Sequence, residues 1–341
     1  MAKTSIEWAA PPGYLPESWN AIRARYDGRI GWHCEKVSPG CRHCYSERQN
    51  LAGRFGGTKL RYTADSPAEV YLDQRVLEQP LHWREPRCVF VCSMSDLFLE
   101  RVALETVAAI YAAMALAPDH RFLVLTKRPE RARQFYDFLG ARPGQRLSAC
   151  LADFVPVGDA EHCWLSDACG VRWPPPNVGL GVTVEGPEYR DRLATLSEIP
   201  AAMRFVSCEP LLERTDLAGP LCLEWSDVQE GWMDNREWVL GGDPRRGIDW
   251  VIAGGESGPG ARPAAPDWFR SLRDQCQASA VPFFFKQWGE WRIGESRDLR
   301  EYVGDTSTGQ YMVRVGKKRA GRLLDWRTWD QWPTPFFATD H

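Results

Sequence analysis

Short apolar runs that end in polar or glycine-containing residues recur along the chain, and helix-like segments separate many of them. This alternation is typical of an α/β protein with a parallel sheet. Seven predicted strands fit an open or partial (β/α) barrel. They cover Arg29 to His33, Arg87 to Cys92, Arg121 to Leu125, Asn177 to Val184, Met203 to Ser207, Trp250 to Ala253 and Pro282 to Lys286.

The segments between these strands carry apolar residues at helical spacing. Val107, Ile110 and Met114 share one face after the second strand, and Leu272 and Cys276 lie four residues apart after the sixth. We expect these apolar faces to cover the sheet.

Two stretches interrupt the alternation. Residues 141 to about 176 are rich in Gly, Pro and Asp without a clear period, and they are interpreted as an inserted loop or small lobe. Residues 213 to 247 form a second irregular insertion, and both insertions would lie over the site as lids. We therefore predict a barrel over residues 1–290 and a C-terminal extension over residues 291–341, with a hairpin packed on the barrel.

The composition indicates a protein with a substantial core. The 341 residues are 44% hydrophobic, which is enough for one large domain or two average ones. No apolar run approaches the roughly 18 residues that a membrane span needs, and the N-terminus lacks the apolar segment of a signal peptide. We expect a cytoplasmic protein without a membrane partner. The net charge of −3 confines any nucleic-acid site to a local patch.

Three cysteines, Cys34, Cys41 and Cys44, lie within eleven residues in the pattern C-x6-C-x2-C. In a reducing compartment, such a cluster suggests metal binding before disulfides. A structural zinc site needs four protein ligands, and His33 or His43 would supply the fourth. An iron–sulfur cluster held by three thiolates leaves one iron without a protein ligand. By the motif alone, both kinds of site remain open.

A cluster with one open iron is the chemical requirement of radical S-adenosylmethionine (SAM) enzymes. The methionine part of SAM chelates that iron, and an electron cleaves the sulfonium to give a 5′-deoxyadenosyl radical. The usual spacing in that superfamily is C-x3-C-x2-C with an aromatic residue before the last cysteine. Here the first gap is longer, His43 precedes Cys44, and Tyr45 follows it. The position of the cysteines after the first predicted strand, where barrel enzymes build their sites, favours the iron–sulfur interpretation.

Polar clusters also follow the later predicted strands, at the end of the sheet where barrel active sites form. In chain order the clusters contain Ser93, Ser95 and Asp96, then Thr126, Lys127 and Arg128, then Glu185, then Cys208 and Glu209, then Gly254, Gly255 and Glu256, and finally Lys286, Gln287 and Trp288. Each type of residue also has a structural explanation. An aspartate caps a helix, carboxylates form ion pairs, glycines permit tight turns, and a cysteine packs in the core.

Seven short motifs follow one another along the chain. They are Thr4 to Trp8, Cys34 to Tyr45, Ser93 to Phe98, Val124 to Arg131, Ser207 to Leu212, Gly254 to Pro259 and Phe284 to Gly289. In this order they resemble the phage gene-product 37 / gene-product 68 family, a radical-SAM-like domain of unknown function from phages and bacteria. The resemblance covers about residues 4 to 330 and implies a partial TIM-like barrel of the radical SAM type, but it names no substrate. The inserted cysteines Cys150, Cys163 and Cys169 lie outside the family pattern.

The leading hypothesis is a radical SAM enzyme with a [4Fe-4S] cluster on Cys34, Cys41 and Cys44. It requires a reducing electron donor, and the implied phage context favours a nucleobase or nucleotide substrate. The residues predicted to bind SAM are Ser93, Ser95, Asp96, Thr126, Glu185, Gly254, Gly255 and Glu256. The residues predicted to bind substrate are Lys127, Arg128, Gln287 and Trp288, and the predicted catalytic residues are Cys208, Glu209 and Lys286.

Other hypotheses remain. The segment Lys317-Lys318-Arg319 offers local positive charge and Trp288 could stack on a base, so nucleic acid is a further candidate partner. From a different class, the chain would be a zinc-stabilised, non-catalytic binding or host-takeover protein of phage origin, with the three cysteines and a histidine as ligands. A third hypothesis is a degenerate radical SAM fold that holds the cluster but does not cleave SAM.

Overall fold

A curled parallel sheet forms the centre of the protein in the computed structural model, which describes residues 6–53, 56–155, 173–217, 223–226, 231–234, 247–294, 302–304 and 311–338. Strands are numbered along the chain. Side by side, they are β1 (Leu15–Trp19), β5 (Arg87–Val91), β6 (Arg121–Thr126), β7 (Val178–Thr183), β8 (Met203–Cys208), β11 (Trp250–Gly254) and β12 (Phe283–Gln287). Every neighbouring pair is parallel. The sheet is a half-barrel, as the strand–helix alternation predicted.

Six of the seven predicted barrel strands are confirmed, and each predicted end lies within one residue of the observed end. They are β5, β6, β7, β8, β11 and β12. The prediction that Arg29 to His33 form the first barrel strand is wrong. β3 (Arg29–Gly31) is a strand, but it lies in a separate antiparallel sheet beside β2 (Ile22–Tyr26), which also pairs with β4 (Glu69–Leu72). The side sheet and the cysteines both fall within the connection from β1 to β5.

The true first strand of the barrel, β1, was hidden by its polar sequence. It contains Pro16 and Glu17, which do not fit an apolar run. Glu17 is nevertheless buried, because its carboxylate pairs with Arg87 at the start of the neighbouring strand. A buried carboxylate is tolerated when a cation compensates it, and the partner of Glu17 is 70 residues away in the chain.

Helices cover the convex face of the sheet and bury Val107, Phe135, Leu193 and Phe269 against it. None of the described helices is both long and apolar enough to cross a membrane. The described α-helices are α1 (Tyr45–Ala52), α2 (Gln74–Leu77), α3 (Leu104–Ala115), α4 (Pro129–Leu139), α5 (Pro143–Ala152), α6 (Asp191–Glu198), α7 (Pro266–Ala278), α8 (Lys317–Ala320) and α9 (Thr334–Phe337).

Aromatic side chains fill the amino-terminal half of the concave face. Trp8, from a short 3-10 turn (Glu7–Ala9), lies 4.9 Å from Phe90 and 6.3 Å from Trp250 between ring centroids. Phe337 of α9 lies 5.9 Å from Trp250. The two ends of the described chain therefore close the inside of the half-barrel.

The carboxyl-terminal half of the same face is polar. Side chains alternate between the two faces of a strand. Phe205 and Phe284 belong to the concave aromatic cluster, so Ser207 and Lys286 point to the same face two residues further on. This change from aromatic to polar residues leaves a charged surface at the carboxyl ends of the strands.

The two predicted insertions contain regular structure. α5 lies in the first, where no period was recognised, and packs on α3 through a buried face that includes Leu147, Cys150 and Leu151. Cys163 and Cys169 lie outside the described residues. In the second insertion, β9 (Leu223–Ser226) and β10 (Gly231–Asp234) form an antiparallel pair. Most of that insertion lies outside the described residues, so its role as a lid stays a prediction.

The C-terminal extension contains a three-stranded antiparallel sheet. β15 (Tyr311–Arg314), where a hairpin was predicted, is its central strand and pairs with both β13 (Trp291–Ile293) and β14 (Tyr302–Gly304). The chain then returns to the barrel, because Asp330 forms an antiparallel bridge with Phe284 of β12.

Candidate functional site at the carboxyl ends of the strands

The cysteine segment lies in the connection between the first two strands of the half-barrel. Cys34 follows β3, Cys41 ends a 3-10 turn (Pro39–Cys41), and Cys44 immediately precedes α1. The Cys44 amide donates to the Cys41 carbonyl at 3.4 Å, which joins the turn to the helix. All three cysteines are free, and each residue is partly exposed. Although β3 is not a barrel strand, the cysteines still follow the first strand of the parallel sheet.

The protein environment opposes ionisation of two of the three thiols. Burial raises the pKa of Cys34 to about 12 and also raises the pKa of Cys44. Burial opposes ionisation of Cys41 as well, but the Lys127 ammonium and hydrogen bonds from the preceding loop, including Ser38, outweigh it and lower the Cys41 pKa. Ionised Cys41 and Cys44 would each raise the Cys34 pKa, so the three sulfurs share one neighbourhood. A metal that binds thiolates would relieve this repulsion.

The two histidines of the zinc hypothesis, His33 and His43, lie against other residues of the protein. His33 is 2% exposed, and its Nε2 lies 3.8 Å from a Glu35 oxygen. The His43 ring packs against Gly260, where an added Cβ would lie 2.7 Å from its Cε1. Among the residues that the structure describes, no three Cys, His, Asp or Glu side chains are gathered closely enough to hold one metal ion.

The two kinds of metal site differ in what they require of their ligands. Zinc in a structural site needs four ligand atoms, each about 2.0–2.3 Å from a single ion. A four-iron cluster binds its thiolates on different irons and therefore accepts more widely separated sulfurs. Three thiols match the number of protein ligands in a cluster with one open iron, whereas a structural zinc site would need a fourth ligand.

Glu185 is fully buried beside the cysteine turn and is bound by two cations. Its Oε1 accepts hydrogen bonds from Lys127 Nζ and Ser38 Oγ, and its Oε2 accepts one from Arg192 Nη1 at 3.1 Å. The same Ser38 hydroxyl lies 3.6 Å from the Cys41 sulfur. Gly40 has no room for a side chain, because a Cβ there would collide with the carboxylate. Glu185 thus fixes the turn that carries Cys41.

Asp96 holds the loop after β6. Its buried carboxylate accepts from the Thr126 hydroxyl at 2.8 Å, from the Lys127 amide at 3.1 Å and from Arg128 Nη1 at 3.1 Å. Arg128 also donates from Nη2 to the carbonyl of Glu35, the residue after the first cysteine. Asp96 and Thr126, both predicted SAM contacts, therefore bond to each other and position the two cations beside the thiols.

A second ion pair lies on the polar concave surface. Glu209 Oε1 is 2.9 Å from Lys286 Nζ, and both side chains remain partly exposed. Ser207 donates to Glu209 Oε2 at 3.2 Å. A Cβ on Gly254 would lie 2.8 Å from Glu209 Oε1, so the glycine leaves space for this carboxylate. The pair stays accessible at the predicted rim.

The loop after β11 is tied to the cysteine turn. Glu256 is buried and accepts from Arg262 Nε at 2.8 Å and Nη2 at 2.7 Å. Arg262 Nη2 also donates to the Pro39 carbonyl at 2.9 Å. The buried Gln287 side chain donates to the Gly255 carbonyl at 2.9 Å. Glu256, Gly255 and Gln287 therefore support the rim through contacts with the protein itself.

Ser93 belongs to a small polar group between β1 and β5. Its hydroxyl lies 2.5 Å from the Ser18 hydroxyl and 3.3 Å from Asn20 Nδ2. Its carbonyl accepts from the hydroxyl of Tyr45, the residue after the last cysteine, which is 44% exposed. Ser95 stabilises the same loop, since its amide donates to the Cys92 carbonyl at 3.1 Å.

Two predicted site residues lie in the core. Cys208 is fully buried, and burial raises its pKa well above the usual value, so the packing explanation fits it. The Trp288 ring lies 5.2 Å from the Phe269 ring, its N–H donates to the Leu323 carbonyl, and 4% of the residue is exposed. Stacking requires an exposed ring face. The prediction that Trp288 stacks on a base is therefore corrected.

Three residues at the site were missed from the sequence. Ser38 lies inside the cysteine motif, and its position next to the turn was the one available signal. Arg192 lies on α6, and Arg262 lies in the loop before α7; nothing in their local sequence marks them. Their roles come from contacts with Glu185 and Glu256, which only the fold brings together.

A cavity of about 230 Å³ opens beside the cysteine turn. The buried Glu185 carboxylate and Arg262 form its inner wall, and exposed acidic residues form its outer part. Its lining consists of Pro39, Glu185, Gly186, Glu188, Tyr189, Leu212, Glu213 and Arg262. Pro39 connects this cavity with the cysteine turn, and the three cysteines themselves are not part of its lining.

Comparison with known proteins gives a family and no activity. No curated protein and no solved structure matches the chain at a significant level. No named relative therefore supports the specific resemblance to the phage gene-product 37 / gene-product 68 family. One family model, described as "Protein of unknown function (DUF5131)", matches residues 3–333. Since this match covers almost the whole sequence, the chain belongs to the DUF5131 family.

Proposed function

We propose that the chain is an iron–sulfur enzyme of the radical SAM class. The observation that carries this proposal is the position of three thiols after the first strand of a parallel half-barrel, beside charged side chains at the carboxyl ends of the strands. Parallel barrels build their active sites at that end. Cys34, Cys41 and Cys44 would hold a [4Fe-4S] cluster whose fourth iron has no protein ligand.

The cofactor's chemistry follows from the open iron. When bound, the cluster would supply the electron that cleaves the sulfonium of SAM. Lys127 and Arg128 lie beside the thiols and favour their ionised forms. Asp96 and Glu185 hold these two cations in place. The chain's own residues thereby orient the ligands and compensate their negative charge.

The accessible polar residues suggest where SAM and substrate bind. The exposed ring of Tyr45 stands next to the last cysteine, and an aromatic ring in that position suits an adenine base. The Glu209–Lys286 pair is partly exposed on the concave surface and suits hydrogen bonding to a polar substrate such as a nucleobase or nucleotide. Ser93 accepts a hydrogen bond from Tyr45, and Gly254 lies against Glu209. Together with Gly255 they are further candidate contacts for SAM. The relation to phage proteins, which suggested this substrate class, stays a prediction.

Metal analysis of anaerobically purified protein tests the proposal. We expect a brown protein with about four irons and four sulfides per chain. Cys41→Ala should lose most of the iron, whereas Cys150→Ala, a matched change at a buried cysteine of α5, should retain it. A colourless protein with one zinc and no iron would overturn the proposal and favour the zinc-stabilised binding protein. Equal iron in the two variants would show that Cys41 is not a ligand.

A further inference from the structure

Trp326 is the most exposed large apolar residue among those described, at 95%. It lies at the tip of a two-residue turn closed by hydrogen bonds between Leu324 and Arg327, with N···O distances of 3.0 and 3.4 Å. Asp325 and Trp326 both have positive φ, 51° and 67°. Such turns favour Asn, Asp and Gly, and the left-handed region is unfavourable for an aromatic residue. The Trp326 ring gains no burial that would offset the cost of this conformation, so the stability of the fold does not explain a tryptophan at this position.

The turn that carries Trp326 is firmly anchored. Both Asp325 carboxylate oxygens accept hydrogen bonds from α7, Oδ1 from Arg270 at 3.0 Å and Oδ2 from Arg273 at 2.5 Å. The Arg327 guanidinium lies 3.7 Å above the centre of the Trp329 ring. The exposed ring is therefore presented from a fixed base, and an unfavourable conformation that the surroundings maintain points to a function.

The turn lies towards the carboxyl end of β12. Asp330 pairs antiparallel with Phe284, and the Phe285 amide donates to the Trp329 carbonyl at 2.9 Å. Following the chain backwards from Asp330 to Trp326 therefore leads towards the carboxyl end of β12. The turn packs on α7, on the convex side of that strand end, whereas Lys286 points to the concave face.

Positive charge surrounds this turn in the sequence. Residues 314–327, here called the Trp326 loop, contain six basic residues and one acidic residue in a chain of net charge −3. Lys318, Arg319 and Arg327 are exposed, and none of them forms an ion pair with another described residue. The acidic residue, Asp325, is already neutralised by two arginines of α7. Lys317 and Arg322 pair with Glu7 and Asp330. The Trp326 loop thus presents three exposed cations, Lys318, Arg319 and Arg327, together with an exposed aromatic ring.

We propose that the Trp326 loop binds single-stranded nucleic acid, with the Trp326 ring stacked on a base and the basic side chains on the backbone phosphates. Aromatic platforms within positive grooves are the general means of binding single strands. A duplex offers no free base face to a ring that stands on a rigid turn. A membrane surface would require a longer amphipathic helix, and α8 has only four residues. This binding needs no metal and goes beyond the proposed enzymatic function.

Fluorescence anisotropy with dye-labelled single strands of about 20 nucleotides, DNA and RNA, tests the proposal at about 50 mM salt, where phosphate contacts are strong. Trp326→Ala should raise Kd about 5- to 150-fold, because stacking on one base is worth roughly 1–3 kcal/mol. Trp326→Phe should retain most of the affinity. The double variant Lys318→Ala/Arg319→Ala should reduce the slope of log K against log salt by about 1.4, since each phosphate contact contributes about 0.7.

Tyr26→Ala is the matched control. Tyr26 is 41% exposed at the tip of the β2–β3 hairpin, next to Arg25 and Arg29, and its loss should change Kd less than about twofold. Unfolding midpoints of all variants show whether the fold is kept. The proposal is overturned by absence of oligonucleotide binding at low salt, by an unchanged Kd in Trp326→Ala, or by a loss of binding in Tyr26→Ala alone. Binding to anionic phosphatidylserine vesicles in place of oligonucleotides would also overturn it. Protein purified in air suffices, so a negative result leaves the iron–sulfur proposal standing.

Discussion

Glu185→Gln is the substitution whose effect the structure defines most closely. The carboxylate is fully buried and bridges Lys127, Arg192 and the Ser38 hydroxyl. Removing one partner of a buried ion pair costs about 3–5 kcal/mol, because the remaining charges stay desolvated. Lys127 and Arg192 are 19% and 10% exposed and recover some hydration, so we expect a loss of about 2–4 kcal/mol.

Urea unfolding of the full chain measures this loss. With a slope of about 3 kcal/mol per molar, the midpoint should fall by roughly 1 M at an unchanged slope. Glu188→Gln is the matched control, since Glu188 lines the same cavity but is exposed, and its midpoint should not move measurably. Adding Lys127→Met to Glu185→Gln should cost less than the sum of the two single changes. A midpoint for Glu185→Gln equal to that of Glu188→Gln would refute the claim that this charge network stabilises the cysteine turn.

Three further predictions concern glycines and the exposed turn. In Gly40→Ala the added Cβ should push the cysteine turn away from the buried Glu185 carboxylate. Iron retention should then fall at least about twofold, while the far-UV circular dichroism is unchanged. Full iron retention would contradict the close contact between Gly40 and Glu185. Gly255→Ala places a Cβ against the Trp288 carbonyl and should lower stability in urea by about 1–3 kcal/mol. Gly53→Ala is the control, since Gly53 has a left-handed conformation without a close contact and its substitution should cost about 1 kcal/mol. Asp325→Ala removes the anchor of the Trp326 loop and should weaken oligonucleotide binding severalfold although it removes a negative charge; tighter binding would show that charge alone governs the interaction.

The barrel strands were predictable because their sequences are locally consistent. β7 is buried on both faces and reads as a nearly continuous apolar run, which is typical of parallel sheets. β8 is also buried on both faces, although Arg204 interrupts its apolar run. β1 was missed because the burial of Glu17 depends on Arg87, a partner on a different strand. α5 was missed because it begins with Pro143 and Gly144, a composition that suggested a loop, although proline is well tolerated in the first turn of a helix.

The site was predictable in position and not in its internal contacts. Parallel strands place their carboxyl ends on one edge, so the polar residues after each strand were expected to meet. Which of them bind each other depends on contacts between distant segments, such as Ser38 with Glu185 across 147 positions. Trp288 and Trp326 could not be distinguished from the sequence, because burial and exposure follow from how the C-terminal segment returns along β12.

Cleavage of SAM by a cluster on Cys34, Cys41 and Cys44 can be measured directly. Anaerobically reconstituted protein is incubated with dithionite and SAM, and 5′-deoxyadenosine is quantified by chromatography. We expect 5′-deoxyadenosine from the unmodified chain and from Cys150→Ala, and none above background from Cys41→Ala. A chain that carries its full complement of iron but forms no more 5′-deoxyadenosine than Cys41→Ala would contradict this expectation.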